Sequence, residues 1–273
     1  MKDIDEERVD CIVSTTPTIC DVMGVKPPEL STNVVLETVI EAAQKLGPKH
    51  IEKCLIYAPD AVGKVLFVEK HDWFSHLLVY APLEVSLRSV VPPKTPVCFA
   101  SMFTGAMPEV HGISKYEKPM VTIDTLFDAF ARAGKKVAIV AVKESSIDLI
   151  FRGRQVDYYT EEYDPEVKDR AIALLEEDKH DLILAYNQEY DDVMHREGTR
   201  SYVALGALRN HLRTFQELAV AFNDRWKKYN RMLVFAPDHG AHLEAPEGKG
   251  VHGDDIPEDM DVVHLYGLRK GEG

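Results

Sequence analysis

Short apolar runs alternate along the chain with stretches whose hydrophobic residues recur at helical spacing. That alternation predicts strands joined by crossover helices. Candidate strands cover 54–58, 77–80, 137–141, 182–185, 232–235 and 262–266. All are brief and largely apolar, as strands covered on both faces of a parallel sheet must be. Between them Ile123, Leu126, Phe127 and Phe130 fall at i, i+3, i+4 and i+7, which predicts a helix ended by Gly134. Ala171, Leu174 and Leu175 continue a second helical pattern after Pro165, and a long helix is expected over about 203–226, leading straight into the strand at 232. The stretch 145–164, with Arg152-Gly153-Arg154 between β-rich runs, reads as a hairpin that leaves the main sheet. The expected class is α/β, with a mostly parallel sheet.

Composition narrows the picture. At 273 residues, 45% hydrophobic and 28% charged, the chain suits one large α/β domain with a substantial core. No run approaches the roughly 18 apolar residues of a membrane span, and residues 1–7 are acidic where a signal peptide is basic and then apolar. A cytoplasmic protein with no membrane partner is the expectation. Cys11, Cys20, Cys54 and Cys98 lack CxxC spacing and read as free thiols. A net charge of -13 repels nucleic acid polymers at long range. A small phosphorylated substrate can still bind where divalent cations reverse the local field. The oligomeric state is not fixed by these features.

In open α/β sheets ligands bind beyond the carboxyl ends of strands. Three of the predicted strands end in metal-ligand chemistry: Asp60 after the first, Asn187 to His195 after another, and Asp238-His239-Gly240 after a third. A surface turn with a capping aspartate would also read Asp238-His239, but His252 follows in a glycine-flanked loop. Asp191 and His195 stand four apart and share a helix face; a solvated acidic helix shows the same spacing. Asp192 lacks that relation to His195. Mixed Asp/His sets suit zinc or manganese. In Lys94-Thr95-Pro96, proline fits the first helical position, which puts Thr95 at the N-cap beside unpaired N–H groups and the positive end of the helix dipole, a phosphate seat as well as a plain cap.

The stretch from Thr95 through Thr104-Gly105 to Pro108-Glu109-Val110-His111-Gly112-Ile113 resembles the nucleophile segment of the alkaline phosphatase superfamily, particularly its type I phosphodiesterase/nucleotide pyrophosphatase branch. The resemblance runs from about Asp60 to His252. It implies a three-layer α/β/α sandwich. It also implies two divalent cations, most often zinc and sometimes manganese, one held by Asp60, Thr95, Asp238 and His239 and the other by Asp191, His195 and His252. Thr95 is then the nucleophile of a phosphate-ester hydrolase, acting on phosphodiesters, nucleotide pyrophosphates or phosphomonoesters through a phospho-threonine. His111 is structural by the same comparison, and Lys94 is a candidate to neutralise phosphoryl oxygens.

Some positions depart from the branch. Cys98 stands where many of its phosphodiesterases carry asparagine, and Ala61 follows Asp60 where glycine is usual. Only 145–164 and 15–28 look available as caps over a substrate. Rival readings are a phosphomutase on the same fold and a non-catalytic metal- or ligand-binding protein. The Cys/Ser-x-Pro-x-Arg pattern of sulfatases is missing, and Cys98 has no evident histidine partner for thiol chemistry.

Overall fold

A computed structural model describes residues 10–246 and 248–272; the acidic residues 1–7 lie outside the described residues. Eight strands form one sheet: β1 (Asp10–Cys11), β2 (Lys53–Pro59), β3 (Leu83–Arg88), β4 (Val137–Val142), β5 (Asp157–Glu161), β6 (Leu182–Asn187), β7 (Arg231–Phe235) and, last in the chain, β10 (Asp261–Arg269). Their order is β1-β3-β10-β7-β2-β6-β4-β5, parallel except where β10 runs against β3 and β7. A separate two-stranded sheet joins β8 (His242–Glu244) to β9 (Lys249–Val251).

The central strands are apolar on both sides because both sides are covered. Cys54, Ile56 and Ala58 of β2 enter one core, with the Thr15–Val22, Thr95–Thr104 and Leu126–Arg132 helices. Leu55 and Tyr57 enter the other, beneath the Asp164–Glu177, Glu189–Glu197 and Tyr202–Arg225 helices. Alternate residues of one extended strand point to opposite faces, so the sheet becomes the middle of three layers. The expected α/β/α architecture is the one found.

The predicted helices are present, but the first starts after Ile123: Leu126–Arg132 begins with a capping box between Thr125 and Asp128, and Gly134 follows its end with φ +73°. Three expectations need correction. Residues 77–80 are not a strand; Phe74 and Leu77 are the buried face of the His71–Leu78 helix. The strand is β3, which buries Val85 and Leu87 while exposing Glu84 and Ser86, a half-solvated alternation that a search for apolar runs passes over. Nor do residues 145–164 leave the sheet as a hairpin. Ser145 caps a short helix, Ser146–Ile150, whose Ile147 and Ile150 are buried, and β5 then pairs in parallel with β4 at the sheet edge. Residues 15–28 form no cap either, since Ile19, Cys20 and Val22 lie in the core.

What this arrangement does for function is simple. β7, β2 and β6 are neighbours and parallel, so their carboxyl ends deliver three chain segments to one stretch of sheet edge.

Candidate active site

Each segment is fixed by local hydrogen bonds. Beyond β2 the chain turns at Ala61, which takes φ +59° and donates its N–H to Asp238 Oδ1 at 3.3 Å. Beyond β6, Asp164 accepts from the N–H groups of Gln188 and Glu189 at 2.9 and 3.0 Å and so starts the Glu189–Glu197 helix. Beyond β7, Gly240 lies so close to its neighbours that an added Cβ would fall 2.1 Å from the Glu258 carbonyl oxygen. Only glycine permits that approach. Thr95 opens its helix one position further in than expected: Lys94 is the N-cap and Pro96 follows Thr95. The shift keeps Thr95 within the first turn, where backbone N–H groups lack helical partners.

The structure brings all seven candidate residues together. Asp60, Asp238 and His239 form one group of potential ligands, and Asp191, His195 and His252 another. Thr95 Oγ1 lies 3.4 Å from Asp60 Oδ1 and 3.3 Å from His239 Nε2. His239 Nε2 is 3.5 Å from Asp60 Oδ1 and 3.3 Å from Asp238 Oδ2. In the second group Asp191 Oδ1 is 3.3 Å from His195 Nε2 and 3.5 Å from His252 Nε2. The rings of His239 and His252 stack with centroids 4.0 Å apart and join the two groups. Asp192, the rival of Asp191, turns away to accept from Tyr163 Oη and Gln188 Nε2.

The hydrogen bonds on the far sides of the imidazoles decide what the near sides can do. His239 Nδ1 meets the Gly240 carbonyl at 2.9 Å, His195 Nδ1 that of Gly250 at 2.8 Å and His252 Nδ1 that of Pro93 at 2.8 Å. A carbonyl only accepts, so each Nδ1 holds the proton and each Nε2 turns a lone pair inward. Three lone pairs and three carboxylates thus face one another. Asp191 Oδ1 and Asp238 Oδ2 are buried without a hydrogen-bond donor. Such a set of acceptors needs cations, or protons taken up by the carboxylates, to be stable.

The electrostatics agree. Burial, with Asp238 and Asp191 adding to it, pushes Asp60 well above the usual carboxylate range, and burial raises Asp238 to about 6. Burial lowers His252 to about 2. His195 is raised by its contact with Asp191. With 40% of its side chain exposed, His195 lies at the open side, whereas Asp238 and His239 are fully buried. The donors, charges and orphaned oxygens together fit divalent metal.

Other sequence candidates fall outside the cluster. His111 accepts from the Ile113 N–H and therefore donates from Nε2 to Ser101 Oγ at 2.8 Å, bracing the turn. Cys98 is buried, its Sγ accepting from Ser89 Oγ. Lys94 Nζ donates to the His252 carbonyl, so it holds the loop. Sequence reasoning overlooked Tyr186, whose Oη donates to Asp60 Oδ2 at 2.5 Å. Its place at the end of the β6 run, one residue past the predicted strand, was the available signal.

Residues 78–269, well over half of the chain, match the sequence pattern of Type I phosphodiesterase / nucleotide pyrophosphatase. The chain belongs to that family. Asp60 precedes the matched stretch of this phosphodiesterase-family pattern, so its place beside Thr95 is known from the geometry alone. No curated protein sequence matches the chain. Among solved structures, phosphonoacetate hydrolase from Sinorhizobium meliloti 1021, in complex with phosphonoformate, is similar with a TM-score of 0.55 at 16% identity, over 73% of this chain and 59% of that one. Murine ectonucleotide pyrophosphatase/phosphodiesterase 5, in complex with AMP, gives 0.55 at 17% identity, over 72% and 59%. A 2-O GAG sulfatase, BT1596, gives 0.56 at 12% identity, over 82% and 65%. The likeness between these structures and this phosphodiesterase-family chain is one of fold. The chain spans about three-fifths of the length of these proteins.

Proposed function

We propose that the chain is a metal-dependent hydrolase of small phosphate esters in which Thr95 is the nucleophile. Asp60, Asp238 and His239, with Thr95 itself, would hold one divalent cation, and Asp191, His195 and His252 a second; zinc or manganese suits this donor set. The observation that carries the reading is the convergence of three Nε2 lone pairs and three carboxylates in two adjoining groups, with the Thr95 hydroxyl against the first. Such cations, when bound, acidify a hydroxyl and neutralise charge on the phosphoryl group.

The chain's own residues do the rest. His239 Nε2 and Asp60 Oδ1 orient Thr95 Oγ1. The bond from Thr95 Oγ1 to phosphorus forms as the ester oxygen departs from the opposite face, leaving phospho-threonine. Water then attacks the same phosphorus, the Thr95–phosphorus bond breaks, and threonine is restored, so one hard displacement becomes two easier ones. Free N–H groups in the first turn of the Thr95–Thr104 helix favour the anion at that point. His195, at the open side, stands where the leaving group exits.

Two of the solved relatives carry AMP and phosphonoformate, which favours small phosphorylated substrates here too. The reading takes the chain as a single hydrolase domain. It also takes the protein as cytoplasmic, in keeping with the free thiols of Cys11, Cys20, Cys54 and Cys98. Among the described residues no helix is long and apolar enough to cross a membrane. The test is metal analysis of the purified protein beside assays with a chromogenic monoester and a chromogenic diester. Bound divalent metal and turnover that D238A removes together are expected; metal-free protein with full turnover would overturn the reading.

A further inference from the structure

Asp259 belongs to neither ligand group, yet its carboxylate is fully buried. The short Pro257–Met260 helix brings it against the back of the candidate site. Its Oδ2 accepts from the N–H groups of Gly253 and Asp254 at 2.8 and 3.0 Å, the two residues that follow His252. Its Oδ1 meets His242 Nδ1 at 2.8 Å. Its backbone carbonyl accepts from the N–H of Gly240 at 2.8 Å, the residue that follows His239. One residue therefore grips the chain just beyond a candidate ligand of each group. The tight approach of Gly240 to Glu258 leaves this strap no freedom to slide.

We propose that Asp259 is a positioning residue that sets the His252 loop relative to the fixed His239 turn, and thereby tunes cation affinity at the Asp191/His195/His252 group. This rests on the metal reading given above. The division of labour follows from which atoms are used. The carbonyl bond to Gly240 survives any substitution at 259, whereas the carboxylate bonds to the loop do not. Loss of the side chain thus loosens His252 alone, although Pro93 and Lys94 still hold its other side. A carboxylate buried for packing alone would not need three N–H donors. Groups that orient a ligand from behind change metal affinity by about 10- to 100-fold.

The experiment titrates manganese into metal-free wild type, D191N, D259A and D259N and resolves two binding phases. D259A is expected to weaken, by about 10-fold or more, the phase that D191N abolishes, and to leave the other phase unchanged. D259N is expected to recover most of that loss. Its amide oxygen can still accept both loop N–H groups while its amide N–H₂ donates to the other tautomer of His242. Unchanged binding in D259A, or equal weakening of both phases, would overturn the proposal. Should D259A not fold, amide hydrogen exchange on the wild-type protein decides: strong protection of Gly253 and Asp254 is expected, and exchange at the rate of an open loop contradicts it. Wild type that binds no manganese would instead count against the metal reading, and the exchange rates would still report on Asp259.

Discussion

Tyr186 donates its phenolic hydrogen to Asp60 Oδ2 at 2.5 Å, behind the oxygen that faces Thr95. Burial raises the Tyr186 hydroxyl pKa well above normal, with Asp60 adding to it, so the phenol stays protonated and remains a donor. The bond fixes which way the Asp60 carboxylate faces. Tyr186→Phe should cost about 1.5–3 kcal/mol of stability, the range for hydrogen bonds to charged groups, and lower kcat while metal remains bound. Denaturant unfolding and steady-state kinetics check this; an unaltered kcat would show that Asp60 needs no such support.

Metal removal should destabilise the fold itself. Asp60 and Asp238 are buried in one group with Asp191 acting on both, and without cations only protonation relieves their repulsion. A ligand that binds only the folded state stabilises it by about 2.7 kcal/mol at a hundred times its Kd. Thermal unfolding should therefore shift downward with a chelator and recover on adding zinc or manganese. A midpoint indifferent to both would count against a metal site.

A pH effect should arise away from the cluster, at His111. Burial lowers its pKa to about 4 from an ordinary 6.5, so the folded protein binds fewer protons there than the unfolded chain. Stability from this group is present above about pH 6.5 and is lost as pH falls toward 4. The loss is up to about 1.4 kcal/mol per pH unit. The stability advantage of wild type over His111→Gln should shrink across that window, measured by urea unfolding at each pH. An advantage that stays constant would show that His111 is not held neutral.

How much of this was readable in the residues alone depends on the range of the interaction. Asp238-His239, the four-residue spacing of Asp191 and His195, and the Thr95-Pro96 helix start are local features, and each lies where a strand end predicts a site. Tandem apolar runs likewise gave β2, β4, β6 and β7. What stayed hidden depends on neighbours distant in sequence. Val85 and Leu87 of β3 look unremarkable until β10 pairs beside them. The hairpin expected at 145–164 became an edge strand because β4 was there to pair with. Tyr186 and Asp259 gain their meaning only from Asp60, 126 residues before the former, and from the loop that holds His252. The backbone carbonyls of Pro93, Gly240 and Gly250 set the tautomers of the three histidines, and no side-chain pattern announces them.

The central claim is that Thr95 carries the phosphoryl group between two displacements. Metal-loaded protein turning over a chromogenic phosphate ester, quenched in acid and digested, can be read by peptide mass spectrometry. The account predicts a phosphate on Thr95, on the peptide beginning the Thr95–Thr104 helix, and none in Thr95→Ala, which should also be inactive. Turnover by Thr95→Ala at the wild-type rate, with no phosphopeptide in either protein, would contradict it.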